Sequence, residues 1–505
     1  MRHSAFTILV SLTLIVSSTL YSQGVDDAIF NAQNLYEGTA RSMAMGNATG
    51  AVGGDMTAVC INPAGLGLYR SGEFTFSTGL QHNLINSTDF GNNVAAGKTN
   101  ISIPNTAYVA SIEWSNYRPL RYMQFGVGLT RANDYGYHSI AQGLNPRSSM
   151  VDAYLQTIEG IDELYDPTLN NPGDYLYDNY PYDLHPAWET YLIDRFHDSI
   201  GYYYSSPIPQ GNLHQTNEVT SKGRSEEWTF AASANYYDKL FLGASLGLAH
   251  VKRVLSRTYT ETPGNPASYQ NTFSEWSFME DLEIAGWGVN LKCGLVVYPT
   301  RWLRLGAAWH SRTHYSFDEN WSTTTETKLL NNHQEDYHKY LSPTLYNEYN
   351  FRTPHTFIGS LAFLFGQKGM FTTDVEYLNY GHSRFHSSTY SFADTNSDLK
   401  ETLGNSFNIR VGTEWRLRQY FLRGGLAYYG SPYGFGDSDG SVKKLALGIG
   451  YATHEDTYWD FAYEFSETTN SYTPYRYYVD GENIAGDIIQ HRFRNKFIIT
   501  LKVKM

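Results

Sequence analysis

Among the sixteen histidines of this 505-residue chain, two close pairs invite a test for metal chemistry. His310 and His314 stand four apart, a spacing that on a helix puts two imidazoles on one face to share a metal ion. The residues around them alternate in polarity, which places the pair on a strand and its loop and keeps the rings apart. His333 and His338 fall in a polar stretch and read as solvated. Glu226-Glu227 could supply paired carboxylates, but they read as a solvated strand end. The glycines from Gly46 to Gly54 could cradle a phosphate, yet no Gly-Lys-Ser/Thr follows them and no strand precedes them. No Ser-His-Asp order suggests a nucleophile. The expectation is a protein with no catalytic residues, no metal and no cofactor. Cys60 and Cys293 could be bridged in an oxidising compartment; alternatively Cys293 is a small apolar side chain on a strand face.

The elements that carry these residues are set by composition and period. The opening MRHSAFTILVSLTLIVSS has a basic start, an apolar run and small polar residues, which reads as a signal peptide over residues 1–22. No later run reaches the roughly 18 apolar residues that a membrane helix requires. Mean hydropathy is −0.42. With 42 tyrosines, aromatics at 15% and 44 glycines, however, the chain has the profile of a transmembrane β-barrel, in which only alternate residues of each strand meet lipid. A net charge of −13 argues against nucleic acid as a partner.

Period-two alternation recurs down the chain. In Asn405–Leu417, Phe407, Ile409, Val411, Trp415 and Leu417 share one face, opposite Asn408, Arg410, Glu414 and Arg416. Between Ala285 and Val297, Trp287, Val289, Leu291, Cys293, Leu295 and Val297 alternate with Gly288, Asn290, Lys292 and Gly294. Such segments lie near 72–84, 103–116, 120–133, 226–238, 240–256, 280–298, 301–317, 350–366, 369–382, 403–417, 419–430, 441–453, 456–468 and 490–503, about fourteen strands. The charges recurring on the inner faces point to a wet lumen. Short connections such as YYDK, GQKG and RLRQ alternate with long ones near 134–225, 257–279, 318–349, 383–402 and 467–489, the asymmetry between periplasmic turns and extracellular loops. The fold class is therefore an all-β, antiparallel transmembrane barrel over 72–505 with long extracellular loops, placed in the outer membrane of a Gram-negative cell.

The longest loop, about 134–225, is expected to be partly helical. Val151, Tyr154, Leu155, Ile158, Ile161 and Leu164 recur at helical spacing, and so do Trp188, Tyr191, Leu192 and Phe196. Their apolar faces either pack on each other or form a greasy surface. On the second reading Leu155, Ile158, Trp188, Tyr191, Leu192 and Phe196 are candidate residues for capturing an apolar ligand.

Residues 23–71 contain too much glycine to span a membrane as a helix, but glycine permits tight turns and close approach to a wall. They read as a plug inside the lumen. Gly38, Arg41, Met45-Gly46, Ala48, Asp55, Ala58 and then Asn62-Pro63-Ala64-Gly65-Leu66 resemble the amino-terminal hatch of the FadL/TodX (OMPP1) family of outer-membrane transporters. Phe351-Arg352-Thr353-Pro354 before IGSLAFLF resembles the family's Thr-Pro start of a late strand, and DVEYLNY, Asp374 to Tyr380, its next strand. Cys60-Ile61 departs from the family, where an aromatic pair is commoner.

The resemblance implies a fourteen-stranded barrel closed by a hatch, with Asn62, Pro63, Ala64, Gly65 and Leu66 as the hatch motif. It also implies uptake of small hydrophobic compounds, long-chain fatty acids or aromatics, captured by the loops, passed by hatch movement and released sideways where a strand kinks. The expected partners are outer-membrane lipid and a hydrophobic ligand. Two alternatives stand beside it: a FadL-like barrel serving as partner or shuttle in protein secretion, and a surface structural or adhesive porin.

Overall fold

A computed structural model describes residues 24–505 except 115–118, 266–271, 332–333, 435–438 and 455. The expected signal peptide and His333 lie outside the described residues. The barrel strands are β1 (Glu73–Asp89), β2 (Asn92–Glu113), β3 (Leu120–Asp134, resuming as Tyr137–Asn145), β4 (Leu213–Tyr236), β5 (Leu240–Pro263), β6 (Phe273–Val297), β7 (Leu303–His310, resuming as His314–Asn331), β8 (Leu345–Arg352, resuming as Thr356–Leu364), β9 (Gly369–Asn379, resuming as Arg384–His386), β10 (Asn405–Leu417), β11 (Tyr420–Tyr429), β12 (Val442–His454), β13 (Thr457–Tyr472) and β14 (Ile488–Lys504). Each pairs antiparallel with the next. β14 closes the ring on β1, from Glu73↔Lys504 to Thr88↔Ile489, giving a closed barrel of 14 strands.

The alternation in the sequence becomes two surfaces. Side chains such as Trp287, Phe407 and Leu447 stay more than half exposed although they are large and apolar, so the outer wall faces lipid. Paired rings form aromatic girdles: Trp302 stacks on Phe363 and Phe365 on Trp415 at one rim, and Tyr377 lies tilted against Phe407 at the other. No helix among the described residues is long and apolar enough to cross a membrane, so strands make the crossing.

At one end the connections are short. Tyr237 and Asp238 both take positive φ in the three-residue connection from Tyr236 to Leu240, a turn closed by the Lys239 N–H donating to the Tyr236 carbonyl at 3.0 Å. At the other end the strands run well past the apolar band, farther than sequence periodicity indicates. β4 begins at Leu213, and Gln334–Leu341 adds a hairpin arm to the upper part of β7, carrying His338 on a strand instead of in a loop. Above the lipid neither face is apolar, so alternation no longer marks these stretches.

Helices α1 (Val25–Ala32), α2 (Ala40–Ala44) and α3 (Met56–Ile61) and the 3₁₀ turn Pro63–Leu68 lie inside the barrel. Thr39 and Asp55 cap α2 and α3 through their side chains, which lets such short helices terminate with satisfied N–H groups. The lumen at this level differs from the wet interior expected. It is packed with protein, and inward charges meet opposite charges: Arg410 with Glu376 at 3.0 Å, Arg423 with Asp460 at 2.6 Å, Lys444 with Glu464 at 3.3 Å. Burial without a partner would be prohibitive for such groups.

Candidate functional site: the plugged lumen and its vestibule

Asn62 ends α3 and caps the 3₁₀ turn, with Pro63 supplying the turn's first fixed φ. Its Oδ1 accepts from the Ala64 N–H at 3.1 Å, and its Nδ2 donates to the carbonyls of Gly50 at 2.8 Å and Leu295 at 3.2 Å. One side chain thus ties two plug segments to the β6 wall. Ala64 packs on Phe241 and Val296, and Leu66 packs with Met56, Val59 and Tyr69 against Ala107, Val109 and Ala231. Gly65 comes close to Gly53, whose positive φ completes the fold-back.

The wall is shaped to receive this turn. Gly243 of β5 and Gly294 of β6 are cross-strand partners, and a Cβ on either would collide with the turn: Gly243 with the Pro63 backbone, Gly294 with the Asn62 amide. A second pair, Gly412 of β10 and Gly425 of β11, receives the Met45-Gly46 backbone in the same way. Glycine in a strand interior lowers strand stability, and here the missing side chains make two seats for the plug.

Four ion pairs latch the plug to the barrel. Asp27 of α1 meets Arg253 at 2.8 Å, Glu37 meets Lys496 at 2.6 Å, Arg41 meets Glu414 at 2.9 Å, and Asp55 meets Lys502 at 2.8 Å. The latches differ in strength. Burial opposes ionisation of Asp55 and Glu37, but Lys502 with Arg41, and Lys496 with Arg131, outweigh it and hold both carboxyls below their usual range. For Asp27 burial wins over Arg253, and its carboxyl is pushed up to about 6. Asp27 is the most weakly held of the three latch carboxylates on the plug.

Above α1 lies a cavity of about 420 Å³, within the range that takes small molecules. Ile29, Phe30, Leu35, Leu255, Leu282 and Trp321 give it an apolar wall, and Arg253, Arg257, Arg492 and Arg494 line it together with the carboxylates Asp26, Asp27, Asp134, Glu280 and Glu467. Arg257 is paired with Glu280 at 3.1 Å. Arg492 instead lies over the Tyr137 ring at 4.3 Å, and the Arg494 Nε donates to Asn83 Oδ1 at 3.1 Å. Among the described residues neither guanidinium forms a direct ion pair, although Arg494 lies near enough to Glu37 to favour its ionised form.

The cavity adjoins a seam in the barrel. β2 and β3 are hydrogen-bonded only between Asn105–Glu113 and Tyr122–Thr130. Farther out, the described ladder joins β2 to β1 and Tyr137–Asn145 to β4. Side chains bridge the gap: Asn100 Nδ2 donates to Asp134 Oδ1 at 3.2 Å and to the Gly136 carbonyl at 3.0 Å, and Lys98 Nζ donates to the Ser221 carbonyl at 2.7 Å. Asn133, Asp134, Tyr135 and Tyr137, at the break in β3, also line the cavity.

The six loop residues singled out for ligand capture do not form one surface. Ile158, on α4 (Met150–Glu159), and Leu192 are fully buried in the loop's own core, and Leu155 and Trp188 pack on that core. Tyr191 and Phe196 are exposed. The second expected helix is only Leu184–Glu189: Tyr191 takes a positive φ, and Phe196 lies on the short strand Asp194–His197, stacked on Tyr203. The loop is moored by buried Glu261, which accepts from Met150 N–H, Gln215, Tyr259 and Trp276 Nε1 at 2.7–3.0 Å. Neither these six residues nor the five of the hatch motif line the cavity.

His310 is buried, its Nε2 2.9 Å from the Ile61 carbonyl, while His314 is exposed. No cluster of three or more His, Cys, Asp or Glu that could hold a metal is found among the described residues. Both cysteines are free, Cys60 within the plug and Cys293 on the outer wall. Sequence reading missed Arg492, Arg494 and the seat glycines. The only signal for them was their place on the inner face of strands already recognised.

A closed barrel with a lipid-facing wall, long loops at one end and a plug packed in the lumen defines a plugged outer-membrane channel protein. The model of the outer membrane protein transport protein (OMPP1/FadL/TodX) family matches residues 216–477, just over half of the chain, and the chain belongs to that family. It is a protein of the outer membrane. In structure it is similar to the Pseudomonas putida toluene transporter TodX, at 14% identity over 93% of this chain and 99% of that one, with a TM-score of 0.52. It is likewise similar to a Pseudomonas aeruginosa FadL homologue, at 13% identity over 94% and 99%, with a TM-score of 0.53. At such identity the likeness is one of fold. A sequence search among curated proteins returns no match.

Proposed function

We propose that the protein takes up amphipathic carboxylates of the long-chain fatty-acid kind, in preference to neutral aromatics such as the toluene named for TodX. The observation that carries this reading is the cavity above α1, where an apolar wall faces two guanidiniums that, among the described residues, form no direct ion pair. An alkyl chain gains by burial against Phe30, Leu255 and Trp321, roughly 25 cal/mol for each Å² removed from water. A carboxylate completes the hydrogen bonding of Arg492 and Arg494.

The cavity also offers a coupling to the plug. A carboxylate entering beside Arg253 competes with Asp27, the most weakly ionised latch, and its success frees α1. The plug then yields at its outer end while the Asp55 and Glu37 latches hold. Release runs through the β2–β3 seam, which borders the cavity. The Asn62–Leu66 turn serves in this scheme as the fixed foot of the plug, seated on Gly243 and Gly294.

The test is native mass spectrometry of the full chain in mild detergent, titrated with oleate, oleyl alcohol and toluene. Tighter binding of oleate, lost in Arg492→Gln with Arg494→Gln, is the expected result. Equal binding of the alcohol, or binding unchanged by those substitutions, overturns the acid-selective reading.

A further inference from the structure

The outer wall carries a second unassigned feature, a basic row where three neighbouring strands break. β7 is interrupted between His310 and His314, β8 between Arg352 and Thr356, and β9 between Asn379 and Arg384. Just past these breaks the register aligns Val289, His314, Arg352 and Arg384 across β6 to β9, and Trp287, Ser316, Asn350 and His386 in the next row out. Phe351 and Phe385, between the rows, turn inward and pack on each other at 4.8 Å. Their neighbours Arg352 and His386 therefore face outward, and both are exposed. A groove of about 660 Å³ runs along these rows, with Leu248, Trp287 and Val289 at its apolar end and Arg352 and Arg384 at its basic end.

The groove sits at the outer rim of the lipid band. Trp309, Phe357, Tyr377 and Phe407 are successive register partners of the outer aromatic girdle, and the basic row begins immediately beyond them. Arg312 lies beside the row, and the Arg384 guanidinium feels the positive charges of both Arg352 and Arg312. Among the described residues none of the three makes an ion pair. Arg384 donates only to the carbonyls of Gly381 and Ser383, at 2.6 Å each. The nearest outward carboxylates on these strands, the Asp318↔Glu348 pair, lie four residues farther along β7, about 13 Å at strand rise. Elsewhere on the outer wall Lys252 does have a carboxylate partner, Glu283 at 2.8 Å.

We propose that this groove binds the phosphorylated headgroup of an outer-leaflet glycolipid, its phosphate on Arg352 and Arg384 and its first acyl segment against Leu248, Trp287 and Val289. A guanidinium fork matches a phosphate bidentately, which accounts for arginine at these positions. The headgroup supplies the anion that the unpaired cluster lacks, and the lipid's acyl chains continue down the apolar wall.

The full chain in mild detergent is titrated with bisphosphorylated lipid A, with the same lipid after enzymatic removal of its phosphates, and with inorganic phosphate, and bound species are counted by native mass spectrometry. The expected result is one lipid A per barrel, weakened about tenfold or more by Arg352→Gln with Arg384→Gln and by dephosphorylation of the lipid. Lys252→Gln, on the same wall, is expected to leave binding unchanged. Equal binding of the dephosphorylated lipid overturns the proposal on wild-type protein alone, whether or not the double variant folds. So does inorganic phosphate that displaces lipid A at equal concentration, or undiminished binding by a double variant that keeps heat-modifiable gel mobility.

Discussion

The Lys502 ammonium donates to Asp55 Oδ2 at 2.8 Å, joining the plug to the last barrel strand across 447 residues of sequence. Lys502 also lies 3.4 Å from Asp460, which pairs with Arg423, which in turn pairs with Glu414 and so reaches Arg41. Plug and wall thus share one charge network, in which each member is buried or half-buried and compensated.

Removing one member leaves the others unmatched. Asp55→Asn is expected to destabilise plug docking by about 3 kcal/mol, the scale for breaking a buried pair, and to raise both single-channel conductance and the sensitivity of cells to vancomycin. The pH dependence follows from the depressed carboxyl. A lowered folded pKa contributes stability above the unfolded value near 3.8 that is lost only as pH falls through the lower folded value. Conductance of the wild type is therefore expected not to rise as pH falls from 8 to 5; a rise over that span would contradict the assignment.

The glycine seats make a steric prediction that is independent of charge. Gly243→Ala or Gly294→Ala places a methyl where the Asn62-Pro63 turn lies, and overpacking of this kind costs about 1–3 kcal/mol. Gly359, on the outward face of β8 with open space around it, is the control. Thermal unfolding in detergent is expected to show the loss at Gly243 and Gly294 and none for Gly359→Ala.

How much of this could be read from sequence depends on which rule each part obeys. The barrel strands crossing the lipid were legible because lipid on one side forces period two, as in Trp287 to Val297. Past Glu226, where β4 leaves the lipid, that force disappears and the strand could not be followed to Leu213. The Asn62–Leu66 motif was legible as a turn, since Asn caps and Pro fixes φ locally. The seats, latches and cavity join residues hundreds of positions apart, and Gly243 looks the same in sequence whether or not a plug lies on it. In the long loop the helical spacing of Val151 to Leu164 reported packing, as the buried Ile158 shows, and Phe196 fell on a strand because Tyr191 turns the chain away from helix.

Asp27 gives the fold a pH-dependent part. Its folded carboxyl value, about 6, lies above the usual 3.8, so the docked state prefers the protonated form. By linkage that contribution is full below 3.8 and is lost as pH rises through about 6. Helix α1 is expected to be better protected from amide hydrogen exchange at pH 5 than at pH 7.5, after correction for intrinsic rates. Asp27→Asn is expected to abolish the difference, because an amide does not titrate over this range. Identical protection at both pH values would remove Asp27 from the coupling.

The last expectation concerns the seam. Asn100 holds it closed by donating to Asp134 and to the Gly136 carbonyl, and a Cβ at Gly136 would run into the Asn100 amide. Gly136→Phe therefore fills the gap between β2 and the broken end of β3 with an apolar ring, while touching none of the four plug latches. If release is lateral, this variant binds oleate in its cavity as the wild type does but takes up radiolabelled oleate no faster than cells lacking the protein. Asn100→Ala removes the bridge without filling the gap and is expected to preserve or raise uptake. Uptake by Gly136→Phe at the wild-type rate would mean that ligand leaves past the plug at the periplasmic end, and the seam would then be a strand defect with no part in transport.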